Sequence, residues 1–250
     1  MGAGPAERVQ ILYWQGLLRE PSRVYIPAMA TYGQFCPVSK AMEVLDERWT
    51  MLVLREMLLG STRFNDLRRG VPRMSPTLLS KRLRSLERSG VVRREGAGTR
   101  TSYHLTEAGR ELGPIVDALG IWGMRWASDL GEEDLDPHLL FWDMSRTTDV
   151  QRWPPRRTTV AFELTGVPAK VARWWLVVSA DGVDVCDFDP GYEVDARVGA
   201  SLRDLTLVWR SDVDWERALL QGRVRIEGAR EVRKALPAWL GHSSVAELAS

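Results

Sequence analysis

Residues 63–106 leave this chain little freedom: a helix, a forced break, a second capped helix and a basic hairpin follow one another without slack. RFNDLRR is amphipathic, with Phe64 and Leu67 three apart on one helical face. GVPRM then breaks the helix, because neither Gly70 nor Pro72 sits comfortably inside one. Ser75 is a natural N-cap and Pro76 a favoured first helical residue, so a second helix is predicted from Pro76 to Ser89, closed by Gly90. Leu79, Leu83 and Leu86 form its buried stripe. Thr77, Ser80, Lys81 and Arg84 take the opposite face, with Arg88 near the end. VVRRE and TSYHLT are strand-like runs joined by Gly96-Ala97-Gly98-Thr99-Arg100, which predicts a hairpin wing.

A helix whose wet face is made of hydroxyls and cations suits the major groove of double-stranded DNA. Short polar side chains near its start can approach base edges, while Lys and Arg meet guanine or phosphate. Residues 61–104 hold eleven Lys/Arg against three Asp/Glu, a local charge of +8, whereas the whole chain carries only +1. Positive field is therefore concentrated where a phosphate-binding surface would need it. The candidate DNA contacts are Arg73, Ser75, Thr77, Ser80, Lys81, Arg84, Arg94 and Arg100. A solvated charged hairpin is the plainer alternative, but order, caps, wing and charge together favour DNA.

CPV at Cys36–Val38, ERWTMLVLREMLLGSTRFNDLRR, SPTLLSKRLRSLERSGVVRR and YHLTEAGREL resemble, in that order, the HxlR-type winged helix-turn-helix transcription regulators. The resemblance covers about residues 33 to 127. It implies a homodimer with the second helix of the motif in the major groove and the wing on the DNA backbone. It also implies a possible redox or electrophile sensor at Cys36, since members of the group use a cysteine at this position. A helix N-terminus favours thiolate there, and a semi-buried cysteine at the dimer contact is the equal alternative. The turn GAGTRTSY departs from the family in lacking a proline-containing approach to the last strand.

At 250 residues the chain exceeds one winged domain, and two domains are expected. Cys36 and Cys186 lie far apart without CxxC spacing, and His104, His138 and His242 do not cluster, so neither metal nor cofactor is expected. No apolar run is long enough to span a bilayer and no secretory leader is seen, so the protein is expected to be cytoplasmic without membrane contact. GxSxG, HExxH, P-loop and GxGxxG patterns are missing, and an enzyme is not expected. Cys186, in a strand-like run, reads as a small buried apolar residue.

Residues 1–28 read as a disordered or mis-called extension, with Met29 a candidate true start. Residues 29–128 form the winged domain. SKAMEVLDERW is expected to be a helix capped by Ser39, with Met42, Leu45 and Trp49 on one stripe, followed by the buried scaffold helix WTMLVLREMLL. After the wing, Thr106 caps a helix kinked at Gly113-Pro114, whose Leu112, Ile115, Leu119, Trp122 and Trp126 make a long apolar seam. A second subunit is the favoured partner of that seam, packing against the C-terminal domain the alternative. Residues 129–154, with seven acids and one arginine from position 128 to 149, are expected to be an acidic linker or short helix. There Leu139, Leu140, Phe141 and Trp142 would dock onto the second domain.

From residue 155 to 242 four strand-like runs precede two helices, a last strand VRIEG and a closing helix, with residues 243–250 as a tail. VDARVGASLRDLTLVW, DWERALLQGRVRIEG and REVRKALPAWL resemble the sterol carrier protein type 2 fold. That resemblance implies a tunnel for an apolar ligand, which Leu202, Leu205, Val208, Trp209, Leu219, Leu236 and Trp239 could line. For any single one of them, plain core is the favoured reading.

The fold class expected is therefore α/β (α+β), an N-terminal winged helix-turn-helix domain plus a C-terminal sterol-carrier-like α/β domain. The expected function is a homodimeric DNA-binding transcription regulator, a repressor ahead of an activator, modulated by an apolar ligand or by Cys36. The alternative is a lipid or small-molecule carrier whose winged domain serves protein interaction.

Overall fold

The computed structural model describes residues 31–127, 129–244 and 246. The extension at 1–28, Met29 and most of the expected tail lie outside them. The N-terminal part contains α1 (Pro37–Leu45), α2 (Thr50–Leu58), α3 (Phe64–Gly70), α4 (Pro76–Arg88), β1 (Val92–Glu95), β2 (Ser102–Leu105), α5 (Glu107–Arg110) and α6 (Gly113–Trp126). Val53, Leu54, Leu67, Leu79, Leu83 and Leu86 are the centre of its core. The leucine stripe of α4 is thus the side turned inward.

Two local expectations are corrected here. α1 starts at Pro37, with Cys36 rather than Ser39 at the N-cap, because proline at the first helical position needs no N–H partner. The Ser39 hydroxyl is buried without a hydrogen-bond partner. Nor does that helix reach Trp49, which takes a left-handed φ of 79° and starts α2 instead. After the wing the chain makes two helices rather than one kinked helix, α5 ending at Arg110 and α6 beginning at Gly113 with Pro114 in its first turn. Thr106 caps α5, accepting from the Gly109 N–H at 3.2 Å.

The C-terminal part is a five-stranded sheet with helices on one face. Its strands are β3 (Thr158–Thr165), β4 (Arg173–Ser179), β5 (Gly182–Cys186), β6 (Ala196–Ser201) and β7 (Val224–Gly228). They lie in the order β5-β4-β3-β6-β7, with β3 and β6 parallel and every other pair antiparallel. Period-two alternation sends Val160, Phe162 and Leu164 of β3 and Trp174, Leu176 and Val178 of β4 to the helical side. Covering them are α7 (Pro137–Thr147), α8 (Leu202–Trp209), α9 (Trp215–Leu220) and α10 (Arg230–Leu240). Cys186 at the end of β5 is half-buried, and burial first, then Asp184 and Asp187, pushes its thiol pKa up.

α7 lies within the stretch expected to be an acidic linker or short helix. Its Leu140, Phe141 and Met144 are buried in the second core, where Phe141 stacks on Trp174 at 4.8 Å between ring centroids. Trp142 turns the other way, toward α2 and α3, contrary to the docking expected of it. Its indole N–H donates to a Glu56 carboxylate oxygen at 3.3 Å, and the Arg69 guanidinium lies 5.2 Å above the ring. One helix therefore packs into the second core and meets α2 and α3 through polar and ring contacts.

Candidate nucleic-acid interface

The recognition element is set by its caps and its stripe. The Ser75 hydroxyl accepts from the Leu78 N–H at 3.2 Å, Pro76 opens α4, and Gly90 follows with a φ of +74° that suits glycine. With Leu79, Leu83 and Leu86 buried, Thr77, Lys81 and Arg84 are exposed and Ser80 half-exposed. Ser75, another of the expected contacts, is exposed, and its oxygen already serves as the cap. Arg73 is exposed in the turn before it.

β1 and β2 pair antiparallel with Arg94 opposite Tyr103 and Arg93 opposite His104. The turn between them closes through a 3-10 segment at Gly98–Arg100, which supplies the path that the missing proline left open. The wing is anchored from behind. Tyr103 N–H donates to the Thr62 carbonyl at 2.8 Å, and the Arg63 guanidinium donates to the carbonyls of Arg100 and Thr101 at 2.8 and 3.2 Å. Arg63 was not among the candidates, because its role depends on carbonyls 37 and 38 residues away.

The cations of this stretch divide sharply by what they touch. Arg82 is buried, pairs with Glu47 and donates to the Arg48 carbonyl at 3.2 Å, so it pins α4 to the chain ahead of α2. Arg93 pairs with Glu95, and Arg69 with Asp66 at 3.6 Å. Arg73, Lys81, Arg84, Arg94 and Arg100 form no ion pair with any described residue and are all exposed. These five cations, two on the capped helix α4, one in the turn before it and two on the wing, are available to phosphates.

A profile described as HxlR-like helix-turn-helix matches residues 44–130. YvaP, an HTH-type transcriptional regulator of Bacillus subtilis, is 36% identical over 98 residues, an overlap covering 38% of this chain and 91% of that protein. The chain belongs to the HxlR-like helix-turn-helix family. An HTH-type regulator of Synechocystis is 36% identical over 111 residues, 43% of this chain and 80% of its own length. One of Mycobacterium tuberculosis is 45% identical over 91 residues, 34% of this chain and 56% of its own length. A second profile, the SCP-2 sterol transfer family, matches residues 148–238. Both family resemblances thus hold, and the α/β architecture of winged part and sterol-carrier-like part with them. The chain is a transcription regulator of the helix-turn-helix type. No helix among the described residues is long and apolar enough to cross a membrane.

The HxlR-like match stops at residue 130 and the sterol-transfer match begins at 148, so α7 belongs to neither. It carries an ion-pair cluster that sequence reasoning missed. The Glu56 side chain on α2 is wholly buried and accepts from Arg55 at 2.8 Å and Arg146 at 2.6 Å. Arg55 also donates to the Gly70 carbonyl at 3.1 Å, and a Cβ on Gly70 would occupy the place of the Glu56 carboxylate. Arg146 reaches Asp143 at 3.1 Å, and Asp143 accepts the Trp209 indole N–H at 2.8 Å. A continuous polar chain thus runs from α3 through α2 and α7 to α8.

The remaining candidates lie apart from this surface. Cys36 is half-exposed at the N-cap of α1. Leu202, Leu205, Val208, Trp209 and Leu236 are buried together between the sheet and its helices, with Leu219 and Trp239 packed against them. These seven fill the core of the sterol-carrier-like part, and Trp209 also borders a cleft at its edge.

Proposed function

We propose that this chain acts as a homodimeric, repressor-type DNA-binding regulator whose operator affinity responds to an apolar ligand associated with its C-terminal half. The observation that carries the DNA surface is the set of unpartnered cations on α4 and the wing. Thr77 and Ser80, near the start of α4, would read base edges; Lys81, Arg84, Arg73, Arg94 and Arg100 would meet phosphates, with Ser75 holding the helix start beside them. Repression needs no more than occupancy of the operator, which such a surface supplies.

Dimer formation is supported by α6, where Ile115, Leu119, Trp122 and Trp126 are between 49% and 71% exposed. So large an apolar face is unusual on a free surface and fits an isologous contact with a second copy. Two copies would place two α4 helices at fixed spacing on a two-fold operator. Ligand response is supported by the sterol-transfer match and by the polar chain through α7, the route by which one half can bias the other. Cys36 is a second candidate input, through oxidation or alkylation of its thiol. The test is a gel shift on duplexes enriched from a random pool, run with mass determination in solution. Saturable binding of two chains per two-fold site supports the reading, and binding by monomers to single sites overturns the dimer.

A further inference from the structure

A cleft lies at the junction of the two halves. Its volume is 790 Å³, with α2 and α6 on one wall and α7 and α8 on the other. That is the size range of small-molecule sites, about 300–1,000 Å³. Leu52, Leu58, Val116, Met124, Leu139 and Trp209 make most of its surface apolar. It occupies a different face of α6 from the proposed dimer contact. At 100° per residue, Ile115, Trp122 and Trp126 cluster on one side, whereas Val116, Gly120, Gly123 and Ala127 point about 100° away, with Leu119 between. Glycine rather than a side chain leaves the room: a Cβ built on Gly123 meets nothing within 4 Å.

The polar groups at its edge are unequal. Both cations are engaged, Arg55 with Glu56 at 2.8 Å and Arg210 with Asp212 at 3.0 Å. Four carboxylates border it. Asp134 and Asp136 accept backbone N–H groups, and Asp143 holds Arg146 and Trp209. Asp117 on α6 is exposed and forms no ion pair or hydrogen bond with any described residue. An occupant with a negative end would meet these acids with both cations of the described lining already engaged, and a neutral one would leave Asp117 unused.

We propose that this junction cleft is the effector site of the chain and takes a lipophilic cation, an apolar body bearing an amine, quaternary ammonium or phosphonium charge seated toward Asp117. The proposal rests on the reading of the chain as an effector-responsive regulator and gives that effector a place and a chemical class. It moves the ligand from the packed interior of the sheet domain to its border with the winged part. A molecule there touches α2 and α6 on one side and α7 and α8 on the other, so it sets their separation. It can alter DNA binding only as far as it prefers one separation over another.

The test is calorimetric titration of the full chain with tetraphenylphosphonium and with tetraphenylborate, its anionic counterpart of nearly the same shape. One phosphonium per chain should bind, and the borate at least about tenfold more weakly, since the bordering charges attract one and repel the other. Asp117→Asn should weaken phosphonium binding, and Gly123→Met, a change that favours helix, should abolish it by filling the cleft. Equal affinity for both ions, no binding of either, or unchanged affinity in Gly123→Met would overturn the proposal. So would dissociation of a dimer by Gly123→Met, which would make the cleft a contact between copies. Duplex binding is measured separately. Phosphonium binding without DNA binding would leave the site standing and sink the regulator reading, and the reverse pattern would sink this site alone.

Discussion

Glu56 is the residue whose loss should cost most for its size. Its wholly buried carboxylate faces Arg55, Arg146 and the Trp142 indole. Arg146→Met strands part of that charge, which should cost about 3–5 kcal/mol in urea unfolding, while the double change Glu56→Met with Arg146→Met should recover much of it. A single change costing less than about 1 kcal/mol would mean the pair is solvated. Arg82 gives the complementary case on the DNA-facing helix. Arg82→Ala should lower stability by about 1–3 kcal/mol through the lost ties to Glu47 and Arg48, without altering the salt dependence of DNA binding. The capped ends of α4 were legible because Ser75, Pro76 and Gly90 act within one turn of themselves. The inward turn of Arg82 was not, since its partner carbonyl is 34 residues away, nor that of Arg146, whose partner carboxylate on Glu56 is 90 away. A count of cations therefore overstated the surface available to phosphate.

At the scale of elements, α6 carries the sharpest expectation. Trp122→Asp should yield monomers in light scattering, because an unpaired carboxylate in an apolar contact costs several kcal/mol. DNA affinity should then fall far more than the loss of one contact would explain. Dimers that persist would mean that the exposed face of α6 is not the contact. The helical period of this seam was readable because it repeats every three or four residues over 14 residues. The break ahead of it was readable only as a kink, and α1 was misplaced because Pro37 outranks Ser39 as a start signal. For α7 the apolar run Leu139–Trp142 pointed to docking. Which way each side chain would turn depends on distant neighbours, Trp174 33 residues on from Phe141 and Glu56 86 residues back from Trp142, beyond any local pattern.

On the scale of the whole molecule, α7 packs in the second core and a polar chain from Gly70 to Trp209 ties it to the winged part. A chain cut after residue 130 keeps α4, the wing and α6. It should bind duplex but lose any ligand response, which in the full chain should amount to about 5- to 150-fold in affinity. Equal ligand effects on both lengths would put the input elsewhere. The succession of strands and helices along the sheet domain was legible from alternation and turn signals, but the order of the strands in the sheet was not, and neither was whether its interior is solid or hollow, because Leu205 or Leu236 would look alike lining a tunnel or filling a core. The central claim is that α4 and the wing of a dimer hold DNA, and salt dependence tests it most directly. Fluorescence anisotropy of an enriched duplex, followed across a salt series, should give a log–log slope that falls by about two when Lys81 becomes Ala, one phosphate per subunit. An unchanged slope would place Lys81 outside the interface and contradict the account.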